Sequence, residues 1–212
     1  AAIRAQQGRT DVALALLDSS DPQSLEEDVL TASAGAQMLR DANRPLEAIK
    51  RLEAANVRLP DNVEIKYELA MLYERNQRLN DTERLLREVI ALDPGHAHSY
   101  NALGYSLADR NQRLPEALKL ITRALEIAPN DPFIIDSMGW IKFRLGDYVA
   151  AVQYLEKAYR VRPEADIAAH LGEALWMLGQ RDAAKEAWKK GVAKEADNAT
   201  LLETLKRLGV RL

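Results

Sequence analysis

Four prolines keep time along this chain. Pro60, Pro94, Pro129 and Pro163 each close a helical stretch (RLP, LDP, IAP, VRP) and are separated by 34, 35 and 34 residues. That interval is too short for a folded domain. It suits a supersecondary unit that buries its apolar face only by stacking on its neighbours. Small residues keep the same beat: Ala36, Ala70, Gly104, Gly139 and Gly172 fall where one helix must approach another closely. A second set recurs nearer each proline, as Ala48 and Ala55, Ala117 and Ala124, Ala151 and Ala158. Thr82 and Val89 replace that pair in one unit, where packing is expected to be looser or shifted.

Each unit reads as two helices. In the stretch DPFIIDSMGWIKFRLGDYVAAVQYLEKAYRV, Asp131 is placed to cap a helix that Pro132 opens and that runs to about Leu145. Gly146 and Asp147 then turn the chain, and residues 148–161 form the return helix. Ser24 and Glu27 have capping-box spacing, and Pro45 and Pro115 suit the first turn of return helices. No segment alternates like a strand between turn signals, so the expected class is all-α.

Composition narrows the function. A net charge of -3 with 29% charged residues describes an ordinary surface, and Arg75, Lys142 and Arg144 form no basic stripe, which argues against nucleic acid as partner. Apolar runs are short and soon broken by charge, so no segment spans a bilayer. AAIRAQQGRTDVALALLDS starts in the manner of the middle of a helical pair, so the parent's own N-terminus, with any address it carries, is expected to lie elsewhere. With no cysteine, disulfides and thiol nucleophiles are excluded. No P-loop, GxSxG or dinucleotide fingerprint occurs, so no catalytic residue and no cofactor are assigned. His96, His98 and His170 lack the spacing of a metal site and read as surface or groove residues.

Tyr100, Leu103, Gly104, Leu107, Ala117, Ile121, Ala124 and Pro129, echoed by Gly139, Gly146, Ala151, Leu155, Ala158 and Pro163, resemble the tetratricopeptide repeat. The resemblance covers essentially the whole chain: a half repeat at 1–20, repeats at about 29–62, 63–96, 97–131, 132–164 and 165–198, and a closing helix at 198–208. Departures are local, with one extra residue at NQRLPEA, Ala196 where the last proline belongs, and Gly191 in place of a packing alanine. The family resemblance implies a right-handed α-solenoid, a non-enzymatic scaffold that lays a partner's segment along a concave groove.

Turning the chain at 100° per residue puts Ile135, Met138, Gly139 and Lys142 on one face and Phe133, Asp136, Trp140 and Phe143 on another. In the family the first face packs and the second lines the groove. The same register yields a candidate partner-binding row of Met71, Tyr105, Trp140 and Glu173, with Tyr67, Asn101 and Asp136 beside it and Phe143, Arg144 and Trp176 beyond. Trp188, Tyr148 and Tyr73 take packing positions. Phe143 fits partner contact and mutual cover between groove helices equally well, whereas Trp140 and Tyr105 are expected to meet the partner. The lysine, asparagine and arginine set with which some tetratricopeptide domains grip a terminal carboxylate is absent, since Asn101, Tyr105, Ser137, Asp166 and His170 occupy those positions.

Residues 134–159 and 165–191 also resemble the C-terminal repeats of proteobacterial outer-membrane tetratricopeptide lipoproteins, adaptors that bring a periplasmic carboxy-terminal processing protease to peptidoglycan hydrolases. That resemblance implies a periplasmic location with a lipid anchor elsewhere in the parent. The absence of cysteine fits the cytoplasm as well. A second reading is self-assembly, in which the apolar face of the half repeat pairs with another copy.

Overall fold

A computed structural model of the chain describes residues 9–19 and 22–212, which form twelve α-helices and, among the described residues, no strand. They gather into two compact units, the first ending at Gly95 and the second running from His96 to Leu212. No described helix is long and apolar enough to cross a membrane.

The first unit contains α1 (Thr10–Asp18), α2 (Leu25–Asp41), α3 (Pro45–Arg58), α4 (Val63–Arg75) and α5 (Leu79–Leu92). Residues 1–8 of the expected half repeat lie outside the described residues, as do residues 20 and 21. Helix α2 opens at Leu25, a turn before residue 29, because Ser24 caps it: its Oγ accepts from the Glu27 amide at 3.2 Å. Glu27 reaches one residue further back than in a capping box, accepting from the Gln23 amide at 2.6 Å. Leu52, Leu69, Leu85 and Leu86 fill the interior. Thr82 and Val89 do not loosen it. Both are buried, and the Thr82 hydroxyl donates to the Arg78 carbonyl at 3.2 Å, so it carries no unmet polarity into the core.

The second unit contains the pairs α6 (Ala97–Asp109) with α7 (Leu114–Ile127), α8 (Pro132–Arg144) with α9 (Tyr148–Val161), and α10 (Ala165–Met177) with α11 (Arg181–Lys194), followed by α12 (Ala199–Leu208). Asp131 accepts from the amides of Phe133 and Ile134 at 2.8 and 3.1 Å, which starts α8 where its sequence places it. The small residues set the helix spacing. A Cβ on Gly139 would sit 2.5 Å from Leu155 Cγ, and one on Gly172 would enter the Trp188 ring, which is itself fully buried. Between the helices of successive pairs the chain passes through one left-handed residue: Asn43, Gln77, Asn111, Gly146 and Gly179. The turn after Asn111 absorbs the extra residue of NQRLPEA by adding a second, Arg113 at φ 45°.

Candidate functional site

In the second unit, α6, α8, α10 and α12 each turn side chains toward a cleft of about 380 Å³. Its walls are Tyr105 and Asp109 from α6, Trp140 and Arg144 from α8, His170 from α10, and Thr200, Glu203 and Arg207 from α12. Under these lies an aromatic stack. Trp140 is pressed between Phe143, at 4.9 Å and nearly parallel, and His170, at 4.3 Å and 22°. The Arg144 guanidinium lies 5.6 Å from the indole centre.

Two acids sit buried beneath the walls, and each meets a base on the next helix of the cleft. Asp136 holds His170 Nδ1 at 3.0 and 3.1 Å from its two oxygens. Glu173 accepts from Arg207 at 2.6 Å, with its side chain only 3% exposed. Tyr105 Oη lies 3.4 Å from His170 Nε2, so the ring is approached at both nitrogens. Burial disfavours the imidazolium, but the Asp136 carboxylate, with Asp166 and Glu173 behind it, more than offsets that cost and raises the His170 pKa above its ordinary value.

A larger hollow of about 800 Å³ lies in the first unit among residues of α1, α2 and α3. Its walls carry the ion pairs Arg51–Asp18 and Arg58–Asp28 and no aromatic side chain, so it lacks the rigid, apolar-bodied anchors that binding sites use.

Residues 39–104 and 142–208 match the tetratricopeptide repeat family, and a further tetratricopeptide model matches residues 80–132. The chain belongs to the tetratricopeptide repeat family. A TPR repeat-containing protein of Pseudomonas aeruginosa is 37% identical over 166 residues, covering 78% of this chain and 28% of that protein. The anaphase-promoting complex subunit CDC16 of Saccharomyces cerevisiae is 24% identical, covering 64% of this chain and 21% of its own length. The chain thus spans under a third of each of these relatives. Among solved structures, the tetratricopeptide protein TTC0263 of Thermus thermophilus superposes with a TM-score of 0.71 at 19% identity, covering 88% of this chain and all of that one. A chain of the APC/C hetero-tetramer Cut9–Hcn1 gives 0.80 at 16% identity, over 97% of this chain and 41% of that chain. Tetratricopeptide proteins generally serve as protein–protein interaction scaffolds and generally carry no catalysis.

The tetratricopeptide helices bring some of the expected groove residues together and separate others. Tyr105, Trp140 and Arg144 share the cleft, and Asp136 and Glu173 lie just beneath it. Trp140 departs from expectation in one respect: both faces of its ring are covered and the residue is 5% exposed, so it props the wall more than it offers a surface. Phe143 is buried, with Trp140 of its own helix on one side and Tyr148 of the return helix α9 on the other. Trp176 leans on Trp188 at 5.6 Å beneath Arg181, outside the cleft lining. Asn101 is half-buried on α6, and its Oδ1 is buried with no hydrogen-bond partner. Tyr67 and Met71 are half-buried on α4 of the first unit.

Sequence reasoning missed Asp109, Thr200, Glu203 and Arg207, and it left His170 as a surface or groove residue, where the structure puts it in the cleft and buried. A signal existed. His170 follows Asp136, and Arg207 follows Glu173, by 34 residues, so an acid and a base recur one period apart. On α12 the leucine spacing of LLETLKRL predicts one inward stripe with Glu203, Lys206 and Arg207 facing water: those three are exposed and Leu201 is buried, but Leu202 is 47% exposed and Thr204 takes a buried place. Arg207, with its side chain 52% exposed, still reaches the buried Glu173 carboxylate.

Proposed function

We propose that this tetratricopeptide chain is a protein-binding scaffold whose second unit seats a segment of a partner protein in the cleft of α6, α8, α10 and α12. The observation that carries this reading is the pair of buried acids under the cleft. An ion pair taken out of water adds little to stability and is costly to break, whereas it fixes the walls it joins in one arrangement. Asp136–His170 and Glu173–Arg207 do this for three of the four helices. Half-buried Tyr105, with Arg144, Thr200 and Glu203, supplies the mixture of ring and polar groups that orients a bound chain.

The partner we propose is a periplasmic carboxy-terminal processing protease, which the scaffold brings to peptidoglycan hydrolases at the outer membrane. Support comes from the resemblance of residues 134–159 and 165–191 to the repeats of such adaptors, and from the 37% identical relative in Pseudomonas aeruginosa, a proteobacterium.

Affinity capture from a proteobacterial periplasmic extract, read by mass spectrometry, tests both levels. Wild-type chain should retain the protease, and the double change Tyr105→Ala and Glu203→Lys should lose it while circular dichroism stays unchanged. Equal capture by the double variant would remove the cleft from the reading. Retention of other proteins in a cleft-dependent manner would keep the scaffold and discard the protease. Light scattering of the unbound chain reports self-assembly, which would appear as a dimer insensitive to the cleft change.

A further inference from the structure

We propose that His170 is a proton-operated support for the cleft: doubly protonated, it ties α10 to α8 through Asp136 and holds Trp140 against Phe143, and on losing a proton it lets the Trp140–Tyr105 wall loosen and release the partner segment. This rests on the reading of the cleft as the partner's seat.

The geometry argues for a charged ring. Nδ1 faces both oxygens of a buried carboxylate, and Nε2 faces a phenol oxygen. A neutral ring can satisfy Asp136 through Nδ1–H, but it leaves a buried carboxylate without a counter-charge. It also removes the cation from the face of Trp140, where the ring centres are 4.3 Å apart. The groups around His170 come from every side. On α8 these are Asp136 and Arg144, on its own helix Asp166 and Glu173, on α6 Tyr105 and Asp109, and on α12 Glu203 and Arg207, the last already engaged by Glu173. Helix α9 brings Tyr154 and Tyr159 to the neighbouring Ile167 cluster, and α11 brings Trp188, whose indole donates to the Ala169 carbonyl. The acids adjoining the ring hold its proton beyond the ordinary histidine range, so the support is in place at neutral pH and is withdrawn as the solution turns alkaline.

Long-range proton–nitrogen spectra of the uniformly labelled chain test this directly, because it holds only three histidines. The His170 ring should titrate at higher pH than histidine in the urea-unfolded chain. The indole N–H signal of Trp140 should shift in the same step, and Asp136→Asn should move both steps to lower pH. A His170 that titrates at or below the unfolded value, or a Trp140 signal indifferent to the step, overturns the proposal. Capture of the partner should fall about fivefold or more across the same interval. His170→Gln, which keeps a hydrogen bond to Asp136 without the charge, should bind weakly and show no step. A pH profile shared by wild type and His170→Gln overturns the coupling, and if the glutamine variant fails to fold, the Asp136→Asn spectra still decide. Failure to retain any partner at any pH would count against the seat, while the spectra would still judge His170 on its own.

Discussion

Trp140 shows how far a residue's role is set by its neighbours. On a helical wheel it is the outward aromatic of α8, yet in the fold it is sandwiched by Phe143 and His170. Trp140→Ala is therefore expected to lower stability by about 3–5 kcal/mol, as loss of a buried aromatic does, read from urea melts beside Trp188→Ala as a second buried ring. A variant that melts like wild type would return Trp140 to the surface. Gly139→Leu belongs to the same scale. The Cβ alone would meet Leu155 and lie 3.2 Å from the Ala151 carbonyl, so the α8–α9 pair must be forced apart, at about 1–3 kcal/mol or more. An unchanged thermal midpoint would contradict that contact. Arg207→Ala leaves Glu173 buried and unmatched. It should destabilise by about 1–3 kcal/mol, and adding Glu173→Gln should recover part of the loss.

Among the elements, helix starts and stops were the most legible part of the sequence, because each has a local chemical cause. Asp131 caps, Pro132 opens, Gly146 supplies a positive φ, and Pro163 forbids continuation, all within one unit of chain. Asp131→Ala should accordingly cost about 1 kcal/mol of melting stability. The turns also hide an improvable position. Gln77 sits at φ 60°, where Gly146 and Gly179 stand in later units, so Gln77→Gly should be neutral or stabilise by up to about 1 kcal/mol, and a clear loss of stability would show that the Gln77 side chain holds the turn. The site was only half legible for a physical reason. Register taken from the small residues, which step 33 from Gly139 to Gly172, pairs Asp136 with Ala169, whereas the acid–base pair keeps the 34-residue step of Pro129 to Pro163 and lands on His170; a slip of one residue turns a helical position by about 100°. Burial of Trp140 was hidden in the same way, since it depends on a ring from another helix.

At the scale of the molecule, the second unit should respond to pH through His170. Its folded pKa is raised, so its contribution is fully present below the unfolded value and is lost as pH rises through the folded one. All three tryptophans lie in this unit, so a fluorescence-detected urea midpoint that falls from neutral to alkaline pH in wild type, and less in His170→Gln, reports on it alone. Deleting residues 199–212 removes Arg207 and Leu201 and uncovers Glu173 on α10 and the Gly191 face of α11, so the shortened chain should aggregate where the full chain stays dispersed. The two acid–base pairs carry a further consequence, for how such a chain can be rearranged. Arrays of this kind grow and shrink by gaining or losing whole units. Here, excising residues 165–198 would splice α9 to α12 in register and set Thr204 where His170 stood, leaving the Asp136 carboxylate facing a hydroxyl. Inserting a copy of the unit ending at residue 164 would bring Ser137 there instead. The order of these last units is thus written in charge, which sets the fold against losing or copying any one of them alone.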